Sequence, residues 1–142
     1  MSFPKIEIKT EVGYTLEQLH ELYNSVGWTA YTRCPAGQQL LKAIQNSTYV
    51  VSAWEGSKLI GLARGLSDDV SIFYLQDILV HPEYQTQGIG TTLLKKCLER
   101  FQHVRMKVLL TDKDEKQLRF YESLGYTNTN NNEMINAFIQ VN

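Results

Sequence analysis

Leu79-Val80-His81-Pro82-Glu83-Tyr84-Gln85-Thr86-Gln87-Gly88-Ile89-Gly90-Thr91-Thr92-Leu93-Leu94 decides how the rest of the chain is read. An apolar run ends at Val80, Pro82 follows, and a short polar loop leads into Gly88-Ile89-Gly90. Beyond the glycines, Ile89, Leu93, Leu94, Cys97, Leu98 and Phe101 recur at helical spacing. The stretch therefore reads as strand, loop and helix N-terminus. The first turn of a helix leaves backbone N–H groups without intrahelical partners and carries the positive end of the dipole, so it suits an anion. Two glycines let a ligand come close to the backbone.

Working upstream, Ser71 to Val80 is a long, mostly apolar strand, the pattern expected at the centre of a sheet. Tyr49 to Trp54 and Leu59 to Leu66 are strands joined by the turn Glu55-Gly56-Ser57-Lys58. Lys5 to Lys9 alternates as a first strand. Thr15-Leu16-Glu17-Gln18 is a capping box ahead of Leu19, Leu22, Tyr23 and Val26, and Gly27 stops that helix. Pro35 can open a second helix carrying Leu40, Leu41 and Ile44. Downstream, Arg105 to Leu110 is a strand, and Asp114 opens a helix through Leu118, Tyr121 and Leu124 to Gly125. Tyr126 to Thr129 reads as a short strand, Asn130 to Asn132 as a turn and Met134 to Val141 as a last strand. The order predicts a single α/β domain over residues 1–142, a mixed sheet of about six to seven strands flanked by about four helices. The strand–helix–strand step from 71 to 110 requires a parallel crossover.

The totals narrow the function. A net charge of -1 gives no general attraction to nucleic acid or to an anionic membrane surface. No apolar run is long enough to span a bilayer, and Met1 to Thr10 lacks the pattern of a signal peptide. These point to a cytoplasmic protein with reduced thiols at Cys34 and Cys97. Cys97 lies on the apolar helix face and reads as core, whereas Cys34 precedes Pro35 in a loop. No Cys/His set has zinc-ligand spacing, so no metal is expected.

Two motifs together carry a resemblance. Gln85-Thr86-Gln87-Gly88-Ile89-Gly90 is similar to the (Arg/Gln)-x-x-Gly-x-(Gly/Ala) loop of the GCN5-related N-acetyltransferases (GNAT), and Phe120-Tyr121-Glu122-Ser123-Leu124-Gly125-Tyr126 resembles that family's Phe-Tyr-x-x-x-Gly-Phe segment. The resemblance implies an acetyl-CoA co-substrate. Its pyrophosphate would sit on the backbone of Thr86, Gln87, Gly88, Ile89, Gly90 and Thr91 next to Gln85, and its pantetheine arm would run along Ile78, Leu79 and Val80. Convergent N–H donors without side-chain bulk suit two phosphates, and an open strand flank suits an extended amide-bearing arm. Relatives often carry Asn at the position of Asp114, where it can donate to coenzyme A. Asp cannot donate, though it caps a helix well.

The implied reaction moves acetyl from acetyl-CoA to an amine by direct attack in a ternary complex. By spacing alone Tyr121 reads as a core aromatic; the resemblance instead makes it the candidate proton donor to the leaving thiolate. Asp77 interrupts an apolar strand, so it needs a partner or a role. It is a candidate base or water-positioning group, a ligand for a cationic substrate, or a structural carboxylate bonded to a backbone amide or to Arg64 on the neighbouring strand. Trp28, Tyr31 and Arg33 fall in the loop that, in relatives, roofs the acceptor pocket. The chain's size and lack of charged tails lean toward a small-molecule amine acceptor. A homodimer is one assembly such a chain could form. Rival readings are a non-catalytic acyl-CoA-binding sensor or interaction module, and a plain dimerisation domain.

Overall fold

The computed structural model describes residues 5–11, 13–33, 36–131 and 134–141. The expected loop residue Cys34, the helix-opening Pro35 and Asn132 of the expected turn lie outside them. The chain divides into two compact units, Met1–Leu109 and Leu110–Asn142.

In the first unit, β1 (Ile6–Lys9), β2 (Tyr49–Glu55), β3 (Lys58–Ser67), β4 (Ile72–Val80) and β5 (Met106–Leu109) form one sheet in the order β1-β2-β3-β4-β5. Neighbours are antiparallel up to β4, and β5 runs parallel to β4. The parallel step carries helix α3 (Ile89–Arg100), as the crossover rule requires. Helices α1 (Leu16–Ser25) and α2 (Ala36–Gln45) precede β2.

Local chemistry sets these elements. Gln18 N–H donates to Thr15 Oγ1 at 3.2 Å and Thr15 N–H donates to Gln18 Oε1 at 2.7 Å, a complete capping box at the start of α1. Tyr14 before the cap and Leu19 one turn on are both buried in one cluster with Leu22, Tyr23, Leu40, Ile44, Leu62 and Leu79. On the sheet's other face Phe73 stacks on Phe101 at 4.5 Å, just past the end of α3, and a Cβ at Gly61 would lie 3.3 Å from Leu93. Burial of each such side chain contributes about 1.5–3 kcal/mol. β3, not β4, is the strand buried without interruption, from Leu59 to Gly65. β4 is internal but alternates, so its apolar run does not mark the centre of the sheet.

The pairing of β3 with β4 slips at one point. Arg64 faces Asp77 and Gly65 faces Leu75, which leaves Gln76 as the extra residue of a bulge. Gly65 is needed there for close approach: a Cβ would meet Phe73 Cε1 at 2.3 Å and the Tyr74 carbonyl oxygen at 2.8 Å. A ring tip can move, but a paired backbone oxygen cannot. Gly65→Ala is expected to lower stability by about 1–3 kcal/mol in urea unfolding. A loss within experimental error would mean that the bulge is plastic.

The second unit holds α4 (Glu115–Ser123) and a 3-10 turn at Thr129–Asn131. Here the expectation is corrected. Tyr126 to Thr129 and Met134 to Val141 form no strand among the described residues, so the sheet has five strands rather than six to seven. Ile135, Phe138, Ile139 and Val141 are exposed, and β-forming residues without a buried face have nothing to fix their register. The fold class stands as α/β, with four α-helices among the described residues. No helix among the described residues is long and apolar enough to cross a membrane.

Candidate functional site

The site begins where the β4–β5 ladder ends. Ile72 to Leu75 pair with Met106 to Leu109, and there β5 stops while β4 continues to Val80. The bulge at Gln76 falls at the same level. Past it, His81 N–H donates to Ile60 O at 2.8 Å, and hydrogen-bonded pairs alternate along an antiparallel ladder. In the register Leu62 to Leu79 and Gly61 to Val80, the peptide groups of Leu79 therefore face β3. Those of Ile78 and Val80 face the opposite edge, where β5 has ended. Of the three strand residues expected to meet a pantetheine arm, the register turns two toward the notch.

Gln85 closes the far end, its Nε2 donating to the Val80 carbonyl at 3.0 Å. The loop then makes two left-handed steps, Thr86 at φ +66° and Gly88 at φ +78°. Gly88 is the N-cap of α3, and no side chain bonds that cap. The first bond inside the helix is Thr92 N–H to Gly88 O at 3.0 Å, so the N–H groups of Ile89, Gly90 and Thr91 precede the ladder. A Cβ at Gly88 would meet nothing within 4 Å, so its requirement is the left-handed φ rather than space. Gln87 is exposed beside it.

The loop is braced by the β2–β3 turn. Tyr84 hydrogen-bonds Glu55 and its phenol is pushed up to about 12 by that carboxylate. Lys58 Nζ lies 5.6 Å from the centre of the Tyr84 ring and 3.9 Å from Glu83 Oε2. His81 Nδ1 accepts from Glu83 N–H at 3.2 Å, a structural bond within the loop.

Asp77 is buried and fully engaged. Oδ2 accepts from Arg64 Nε at 2.7 Å and Tyr23 Oη at 3.0 Å, and Oδ1 accepts from Tyr31 Oη at 2.9 Å. Arg64 Nη1 donates onward to Ala43 O at 3.4 Å and Ser47 Oγ at 3.3 Å at the end of α2. Burial, reinforced by the negative charge of Asp77, pushes the Tyr23 and Tyr31 phenols above their ordinary range, so both stay protonated donors at neutral pH. The structural partner foreseen for Asp77, Arg64 on the neighbouring strand, is thus present.

Trp28 and Tyr31 join this network. Tyr31 packs edge-on against Tyr23 with centroids 5.1 Å apart, and Trp28 lies 6.0 Å from Tyr23. Gln76 Nε2 donates to Tyr31 Oη at 3.4 Å. Arg33, two residues on, has an exposed side chain outside the cluster. Tyr23 and Gln76 escaped the sequence reading. Tyr23 carries a hydroxyl on an apolar helix stripe, and Gln76-Asp77 places two polar residues in succession inside an apolar strand, which is the signal of a bulge. His20 is half-buried with Nε2 2.8 Å from Gly37 O, so it ties α1 to α2.

Two candidates lie in the second unit. Asp114 is the N-cap of α4 and accepts from Lys116 N–H at 3.3 Å. Tyr121 is buried, its ring centroid 5.1 Å from Phe120 and 6.0 Å from Tyr126. Burial pushes its phenol up to about 12 against a hydrogen bond with Thr111. Cys97 is buried on α3 as expected, and its thiol is pushed up to about 12 by burial, which removes thiolate chemistry.

A family model described as "Acetyltransferase (GNAT) domain" matches residues 14–141. A GNAT-family acetyltransferase of Streptococcus pneumoniae TIGR4 is similar in structure at a TM-score of 0.83 and 33% identity, over 97% of this chain and 98% of that one. An uncharacterized ycf52-like N-acetyltransferase of Prochlorococcus marinus is 32% identical over 79% of this chain and 62% of its own length. A histone acetyltransferase of Glycine max is 30% identical over 83% of this chain and 60% of its own. The chain thus spans less than two thirds of those two curated relatives.

Proposed function

The chain belongs to the GNAT acetyltransferase family, and from that membership we propose that it transfers an acetyl group from acetyl-CoA to the amine of a small molecule by direct attack in a ternary complex. The observation that carries this reading is the notch. β4 outruns β5 by five residues, Gln76 to Val80, and that edge, which β5 does not pair, leads straight into an uncapped helix N-terminus. The donor set fits the co-substrate: the peptide groups of Ile78 and Val80 suit an extended diamide arm, and the N–H groups of Ile89, Gly90 and Thr91 suit a pyrophosphate. Bound acetyl-CoA would supply the activated acetyl group as a thioester.

The chain's own residues do the rest. Tyr121 Oη holds a proton at neutral pH and is the donor to the departing sulfur, the role the family resemblance gives it. The amine attacks in its neutral form. The new N–C bond forms as the C–S bond breaks, the amine proton leaves to water, and Tyr121 recovers a proton from water. Asp77 is not needed as the base, because three donors already engage its carboxylate. Asp114 serves as a helix cap rather than a donor to coenzyme A. Tyr31 meets Gln76 at the head of the notch with Trp28 packed beside it, and we assign these two and Arg33 to the acceptor side. The family match across both units supports reading residues 1–142 as one acetyltransferase domain.

A rigid aromatic border and a net charge of -1 favour a small amine over a polybasic tail. The test has two stages. Titration calorimetry with acetyl-CoA should give saturable binding, and no binding at millimolar ligand overturns the whole reading. Thiol release is then followed with a panel of small amines and a lysine-bearing peptide. Turnover with a small amine supports the assignment. Turnover with the peptide alone transfers the acceptor class to proteins, and binding without any turnover leaves an acyl-CoA-binding module.

A further inference from the structure

We propose that Asp77, held in place by Arg64, is a positioning residue that locks the 3-10 turn Thr29–Tyr31 onto β4 through the Tyr31 hydroxyl. This rests on the acetyltransferase reading for its consequence, that the lock sets acceptor affinity, but not for the lock itself.

The turn needs an external tie. It has three residues, and its backbone bonds are Tyr31 N–H to Trp28 O at 3.3 Å, Thr32 N–H to Thr29 O at 3.1 Å and Arg33 N–H to Thr29 O at 3.0 Å. Short 3-10 segments have poor hydrogen-bond geometry and do not hold themselves. Thr32 Oγ1 donates to Asn24 Oδ1 at 2.6 Å and Trp28 N–H to Tyr23 O at 3.0 Å, so α1 fixes where the loop departs. The tie to the sheet is different. It runs through Tyr31 Oη, which donates to Asp77 Oδ1 at 2.9 Å and accepts from Gln76 Nε2 at 3.4 Å.

Both contacts sit at the bulge, where the β4–β5 ladder has just ended. The hydroxyl therefore joins the loop to the head of the notch. Arg64 makes the acceptor atom reliable. It pairs with Oδ2 at 2.7 Å and holds the buried carboxylate in place, leaving Oδ1 for Tyr31. A bond to a buried carboxylate is stronger than one between neutral groups.

The network contains its own control, because Tyr23 also donates to Asp77 at 3.0 Å but belongs to α1 rather than the turn. Tyr31→Phe and Tyr23→Phe each remove one hydroxyl and keep the ring. Amide hydrogen exchange is read at Thr32 and Arg33, alongside kinetics with whichever amine of the panel is acetylated. Tyr31→Phe should speed exchange at those two amides about tenfold, the loss of one charge-assisted bond. It should also raise the acceptor KM several-fold and leave the acetyl-CoA KM in place. Tyr23→Phe should reduce global stability while leaving both amides within about twofold of the wild type. Unchanged exchange in Tyr31→Phe, or equal acceleration in both variants, overturns the lock. If the exchange result holds and no amine is acetylated, the acetyltransferase reading fails and the lock stands.

Discussion

Asp77→Ala is expected to remove about 3–5 kcal/mol of stability, since deleting one partner leaves the other charge buried and unpaired. The side chains of Arg64 and Asp77 are only 8% and 4% exposed, so solvent cannot relieve the guanidinium. Two phenols also lose their acceptor: Tyr23, which is fully buried, and Tyr31, which can turn to water. A chain of this size has about 5–15 kcal/mol in total, so the variant stands near the edge of folding at 37 °C. Urea unfolding checks the figure. The double change Arg64→Met with Asp77→Leu separates charge from packing, because removing both ions lifts the larger penalty and leaves the Tyr23 hydroxyl orphaned at about 1–3 kcal/mol. It should therefore be more stable than Asp77→Ala and less stable than the wild type. A loss below about 1 kcal/mol in Asp77→Ala would mean that water reaches the pair.

The reason Asp77 resisted a reading from sequence is the bulge. Alternation assigns Phe73, Leu75, Asp77 and Leu79 to one face of β4, and all four are indeed buried. They serve two faces. Phe73 stacks on Phe101 beyond α3, whereas Leu79 lies in the α1–α2 cluster and Asp77 bonds Tyr23 of α1. The one extra residue at Gln76 exchanges the faces without changing the buried-exposed count. Period-2 reasoning therefore found the strand and the candidate pair but not the helix that Asp77 serves. Where local chemistry dominates, legibility was high: the Thr15–Gln18 capping box, the glycine stop after α1 and the loop into α3 follow from residue types within a few positions. The segment after Asn131 failed for the opposite reason. Its run of apolar residues is a strand signal only if a partner buries one face, and that information is not local.

Tyr121→Phe should lower kcat by about 10²-fold or more while acetyl-CoA affinity stays within about twofold, the signature of a group that acts on the leaving sulfur and not on ground-state binding. The change keeps the ring packed against Phe120 and Tyr126 and deletes only the hydroxyl that bonds Thr111, so a fold-wide effect is small. The raised phenol makes a second, independent prediction. From an ordinary value of 10 it is pushed up to about 12. The acid form is therefore fully populated at pH 7–9, and a basic limb in kcat within that range cannot come from Tyr121. The linked effect on stability has a definite sign. The folded state holds the proton more tightly than the unfolded one, so this contribution is intact below pH 10 and is lost as pH rises from 10 to about 12. Stopped thiol release with wild type and Tyr121→Phe across pH 6.5–9 reads the kinetic part. A variant as fast as the wild type would remove the acid role. A variant slowed equally but with weakened acetyl-CoA binding would make Tyr121 part of the binding surface, because the loss would then appear before the bond to sulfur breaks.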